Sequence, residues 1–175
     1  MDYSKIPSMS FGDQLILASV EFPQANDLRK AFEVARLVSD DCVAPDEIAA
    51  ALGMVVREGS YYGSAACALR LVKKRESAEG SRYELTEMGD HWLGLERENQ
   101  TEAMIQRTLD CPHVKLVAHV LGIALPLKVP VDRLLLDKEK IKSVIVALPG
   151  ITGNTVVRRA STIASWIRTV NELAD

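Results

Sequence analysis

Aromatic residues make up only 5% of the sequence, with two tryptophans among them. A core must therefore come mainly from aliphatic side chains and alanine. Cysteine is also scarce: Cys42, Cys67 and Cys111 are odd in number and far apart. That excludes a disulfide framework and points to free thiols in a reducing interior. Cys111 and His113 are too close and too few for a zinc site, which needs four ligands in paired spacings. They also lack the third, orienting residue of a Cys-His nucleophile. No apolar run approaches the roughly 18 residues needed to cross a bilayer, so no membrane partner is expected. The opening MDYSKIPSMSFG has no basic stretch followed by an apolar core, which predicts a chain without a secretion signal, located in the cytoplasm. Gly150 and Gly153 flank a turn but lack the spacing and lysine of a phosphate-binding loop. An excess of positive charge is missing too. The net charge of −3 argues against indiscriminate nucleic-acid binding, although a local basic face on an acidic body still attracts phosphates.

What is present is an ordinary globular balance, 47% hydrophobic and 26% charged. A chain of 175 residues can hold one sizeable core or two small ones. Residues 1–23 are weakly patterned, and QLILASVEF reads equally as a strand or a helix start, so this part is an N-terminal arm or short element. From Gln24, the spacing of Leu28, Ala31, Phe32, Ala35 and Val38 predicts an amphipathic helix. APDEIAAALG predicts a short helix with Pro45 at its first position and Gly53 as its stop. REGSYYGSAACALRLV predicts a third helix, with Tyr61, Ala65, Ala68, Leu69 and Val72 as its buried stripe. LRLVKK and SRYEL follow as two strands joined by RESAEG, and then LTEMGDHWLGL as a helix capped by Thr86. Three helices, a hairpin and a closing helix are the order of a winged helix-turn-helix over residues 24–96.

Residues 97–175 read as a second helix-turn-helix. TEAMIQRTLD and PHVKLVAHVLGI are two helices, VDRLLLDKEKIKSVIVAL holds one or two more, and ITGNTVVRRASTIASWIRTV closes the chain. In the last segment Val156, Ala160, Ile163, Ile167 and Val170 form the core stripe, with Trp166 at its edge. Thr155, Arg158, Thr162, Ser165 and Thr169 line a different face, flanked by Arg159. Hydroxyls and guanidinium groups suit phosphates and guanine edges.

Two segments resemble a known class. YYGSAACALRLVKKRESAEGSRYELTEMG looks like the recognition helix, wing and Leu-Thr-x-x-Gly ending of bacterial winged-helix domains. Thr155, Arg158, Arg159, Thr162 and Trp166 are similar to a signature of the tandem winged-helix modules that accompany some restriction endonucleases and related defence proteins. The resemblance implies duplex DNA recognition, with any nuclease on a separate domain or partner subunit. It departs in offering no acidic pair with a supporting lysine: Asp137, Glu139 and Lys140 in DKEKIK sit inside an apolar helical pattern, and a solvated helix face is the better reading. No enzyme activity, metal or cofactor is expected, and the chain would act in restriction-modification, in defence or in transcription regulation. The expected fold is mainly α with a small β-hairpin wing. The expected DNA contacts are Ser60, Tyr62, Ser64 and Arg70 at the first recognition helix; Lys73, Lys74, Arg75 and Arg82 on the wing; and Thr155, Arg158, Arg159 and Thr162 on the second. The alternative is a winged-helix protein-docking module without direct DNA contact.

Overall fold

The computed structural model describes residues 22–78, 80–147 and 154–175. They form a mainly α-helical fold with one two-stranded antiparallel hairpin. Helix α1, Leu28–Ser39, starts where the Asp27 carboxylate accepts the Lys30 N–H at 3.2 Å. It buries Leu28, Ala31, Phe32, Ala35 and Val38, as their spacing requires. Helix α2, Pro45–Ala51, has proline at its first position, and the Glu47 carboxylate accepts the N–H groups of Val43 and Ala44, both at 2.9 Å. Gly53 ends this segment at φ 66°, the left-handed conformation a stop needs.

Helix α3, Val56–Ala68, packs against both α1 and α2. Ala65, Ala68, Leu69 and Val72 of the expected stripe are buried, but Tyr62 lies inside in place of Tyr61, which is half-buried. The cause is a strip of small residues. A Cβ at Gly59 would fall 1.8 Å from the Pro45 carbonyl oxygen, and one at Gly63 would fall 2.2 Å from the Tyr83 ring. Those approaches bring the face through Gly59, Tyr62, Gly63 and Ala66 inward.

Strands β1 (Val72–Ser77) and β2 (Gly80–Leu85) follow, with Val72 opposite Leu85 and Arg75 opposite Arg82. The Tyr83 N–H donates to the Val43 carbonyl at 2.8 Å, which ties the hairpin to the segment before α2. Helix α4, Glu87–Leu93, is capped by Thr86, whose Oγ1 accepts the Gly89 N–H at 3.0 Å. The same hydroxyl reaches the carbonyls of Arg70 and Leu71 at 2.6 and 3.0 Å. A Cβ at Gly89 would meet the Leu71 oxygen at 2.1 Å. The Leu-Thr-x-x-Gly run is thus a clasp between α4 and the junction of α3 with β1.

The remaining elements are α5 (Arg97–Asp110), α6 (Pro112–Val120), a 3-10 turn (Arg133–Leu136), α7 (Lys138–Val146) and α8 (Asn154–Ala174). Asp137 caps α7 by accepting the N–H groups of Glu139 and Lys140 at 3.1 and 3.2 Å. Glu139 pairs with Lys142, so the acids of DKEKIK have structural work. Helix α8 packs on α7, on α5 and on the 3-10 turn. It also reaches the start of the described chain, where the Trp166 indole N–H donates to the Ala25 carbonyl at 2.8 Å. One cluster of buried side chains runs from Phe22 through α1 and the hairpin to Val170. The helical sets on either side of residue 97 share that core. Most of QLILASVEF and the break at Gly150 and Gly153 lie outside the described residues. Phe22 is described, and its ring stands edge-on to His113 with 4.4 Å between centroids.

Cys111 is fully buried beside this contact, its Sγ 3.7 Å from the Ala68 carbonyl and from His113 Nδ1. Burial pushes its thiol up to about 11, and burial does the same to Cys67. Since the thiolate is the nucleophile, iodoacetamide at pH 8 is expected to modify Cys42 first and Cys111 only after unfolding. Peptide mass spectrometry over time checks this. Native labelling of Cys111 as fast as Cys42 would contradict the burial.

Candidate nucleic-acid interface

The outer face of α3 carries Arg57, Ser60, Tyr61 and Ser64, spaced as one stripe along a helix. Arg57 and Ser60 are exposed; Tyr61 and Ser64 are half-buried. The Arg57 Nε–H donates to the Tyr61 hydroxyl, and the guanidinium carbon lies 5.2 Å from the centre of the Tyr61 ring. Two apolar side chains, Val55 and Val56, stand out at the start of the helix, 67% and 64% exposed. At its other end Arg70 is exposed at φ 61°. That is an ordinary helix ending, in which the Leu71 N–H returns to the Ala66 carbonyl at 2.9 Å.

The hairpin sorts its charges onto two faces, because directly opposed residues of an antiparallel pair share a face and neighbours alternate. Tyr83 points to α3, so its partner Lys74 and the next pair, Glu76 with Ser81, share that side. Lys74 pairs with Glu76 at 2.6 Å. The Lys74 ammonium and then the Ser81 hydroxyl hold the Glu76 carboxyl below its usual range. The opposite face carries Lys73, Arg75, Arg82 and Glu84. Lys73 and Arg75 both reach Glu84, at 3.2 and 2.8 Å. Among the described residues that face thus carries Lys73, Arg75 and Arg82 beside Glu84, and Arg75 stands directly opposite Arg82. Like charges directly opposed across strands are unfavourable. Such a face gains when an anion lies over it. Exposed ion pairs contribute at most about 1 kcal/mol, so the bonds to Glu84 do not lock the two cations away from a phosphate.

The expected contacts now divide. Ser60, Arg70, Lys73, Lys74, Arg75, Arg82 and Arg158 are exposed, and Ser64 and Thr155 are half-buried. Three others are inside. Tyr62 packs in the core, and burial raises its hydroxyl pKa. Thr162 is fully buried, its hydroxyl 2.9 Å from Asn26 Oδ1 and 3.1 Å from the Arg158 carbonyl. Arg159 is 7% exposed. These three leave the set of groups able to touch a ligand from solvent. The reason in α8 is the width of its buried arc: at about 100° per residue, positions 156, 159, 160, 162, 163, 164, 166, 167 and 170 wrap more than half of the helix. A threonine whose hydroxyl bonds the carbonyl four residues back enters such an arc at little cost. The stripe left outside runs through Val157, Arg158, Arg168 and Glu172, with Ser161 and Ser165 at its margin.

Arg57 and Tyr61 are not among the contacts expected from the sequence, which places Tyr61 in the buried stripe. Their four-residue spacing carries the signal, once the glycine strip rather than the larger side chains sets the inner face of α3. Among the described residues no group of three His, Cys, Asp or Glu side chains is placed to hold a metal ion, and no helix is long and apolar enough to cross a membrane. No curated protein and no solved structure matches the chain significantly. One family model, described as a domain of unknown function (DUF7226), matches residues 32–175, and it covers α3, the hairpin and α8 alike. The chain belongs to that family.

Proposed function

We propose that this protein binds duplex DNA, with the outer face of α3 in the major groove and the hairpin against the flanking phosphates. The observation that carries the reading is the outward face of the hairpin, which groups Lys73, Arg75 and Arg82 on one side, with Lys73 and Arg75 both bound to Glu84. The helix beside it supports the same reading. An α-helix fits the major groove, and α3 offers arginine, tyrosine and serine along its outer stripe, with Arg57 and Ser60 exposed. Tyr83 holds hairpin and helix together, packing on Gly63 with its hydroxyl 3.5 Å from the Ser60 carbonyl. Helix α8 contributes Arg158 and the half-buried Thr155 at most, so the first unit carries the main contact. The role is recognition, for a regulator or for a defence system whose nuclease sits elsewhere. A second reading, docking of a protein partner, is favoured by the exposed Val55 and Val56.

Fluorescence titration of a labelled duplex separates the two. The protein is expected to bind below about 10 μM at 50 mM salt, the range of ordinary non-specific binding. Arg75→Ala and Arg82→Ala are each expected to weaken all sequences alike and to flatten the logarithmic salt dependence by about one unit. Lys74→Ala, on the inner face, should change the slope least of the four wing cations. No binding at that concentration would overturn the reading and leave protein docking in its place.

A further inference from the structure

We infer that Arg57 reads a guanine in the bound duplex and that Tyr61 is the residue that positions it; the inference rests on the DNA-binding reading above. Arg57 is the second residue of α3 and is exposed. Recognition helices present their N-terminal residues to the base edges. The Nε–H of Arg57 is committed to the Tyr61 hydroxyl and its guanidinium lies over the Tyr61 ring. Both contacts restrict the swing of a long side chain, so less freedom is lost when it docks. With Nε taken, the two terminal nitrogens form the donating fork. Guanine alone offers two adjacent acceptors, O6 and N7, in the major groove. Adenine sets a donor beside its N7, and cytosine presents a donor there. An arginine fork has no acceptor to answer either donor. The chemistry therefore selects guanine, and a lysine at this position would keep the charge while losing the fork.

The test starts from a randomised duplex pool, selected on the full chain at several salt concentrations. One position of the selected site is expected to be guanine. Replacing it by 7-deazaguanine, which removes the N7 acceptor, should weaken the wild-type protein about 5- to 100-fold, the worth of a bidentate contact. Arg57→Ala, which removes every donor, should bind the guanine and 7-deazaguanine duplexes within about twofold of each other. Tyr61→Phe keeps the ring and removes the hydroxyl. It should shrink the 7-deazaguanine effect while leaving the salt slope alone, which a merely structural role would not do. Thermal melts of both variants should match wild type, since the substituted groups lie on the outer face. A selected site at which 7-deazaguanine is tolerated throughout, or at which Arg57→Ala retains the full penalty, overturns the inference and leaves the DNA reading standing. A pool from which no duplex is retained removes both.

Discussion

Replacing Trp166 by alanine is expected to lower stability by about 3–5 kcal/mol, the cost of truncating a large aromatic in a packed interior. The indole is fully buried, as are Ile163 and Ile167 on the same inner arc of α8. Its N–H also donates to the Ala25 carbonyl at 2.8 Å, and Ala25 is itself buried. The substitution therefore leaves a cavity and a buried acceptor that has lost its donor, and the second loss adds to the first. Domains of this size have about 5–15 kcal/mol in all, so the variant approaches the edge of folding. Because Trp166 joins the end of the chain to the segment before α1, both halves should lose stability together. Urea unfolding followed by circular dichroism measures the shift. An unchanged midpoint would contradict the burial.

The second large effect is expected from Gly59→Ala. The new methyl carbon would lie 1.8 Å from the Pro45 carbonyl oxygen and 3.0 Å from the Ala49 Cβ. The clash is with backbone, so no rotamer change relieves it. Helices α2 and α3 must separate or reorient. We expect a loss at or beyond the upper end of the roughly 1–3 kcal/mol typical of overpacking, together with weaker DNA binding as α3 tilts. Gly53→Ala is the control: it has open space around it but a φ of 66°, and should cost about 1–2 kcal/mol from backbone strain alone. Parallel urea titrations rank the two. If Gly59→Ala is the milder, the helices are not in the close contact described.

Much of the fold was legible because local chemistry agreed with the pattern. Pro45, Gly53, Thr86 and Pro112 mark the helix limits where the sequence placed them. Strands β1 and β2 fall within the expected hairpin, but β1 begins three residues later than expected and the ladder takes in residues 75–77 and Gly80, which the sequence places in the turn. What misled the reading was the weight given to large side chains. In α3 the inner face is set by Gly59 and Gly63, which carry no hydrophobic signal of their own, so Tyr61 and Tyr62 exchanged places. In α8 a five-residue core stripe was visible, but its flanks are buried too. Burial there comes from α5, α7 and the segment before α1, contacts distant in sequence. Thr162 shows the limit well: its hydroxyl reads as polar, yet it bonds within its own helix and to Asn26. The charges of the hairpin were legible singly. Their grouping around Glu84 depends on strand register, which places Lys73 directly opposite that glutamate.

The most direct test of the central claim, that α3 and the hairpin form the DNA-binding surface, is hydrogen–deuterium exchange with and without saturating duplex at low salt. The account predicts slower exchange over residues 56–64 and 72–85 when duplex is present, with the inner residues of α8 unchanged. Protection confined to α8, or none in α3 and the hairpin while duplex is demonstrably bound, would contradict it.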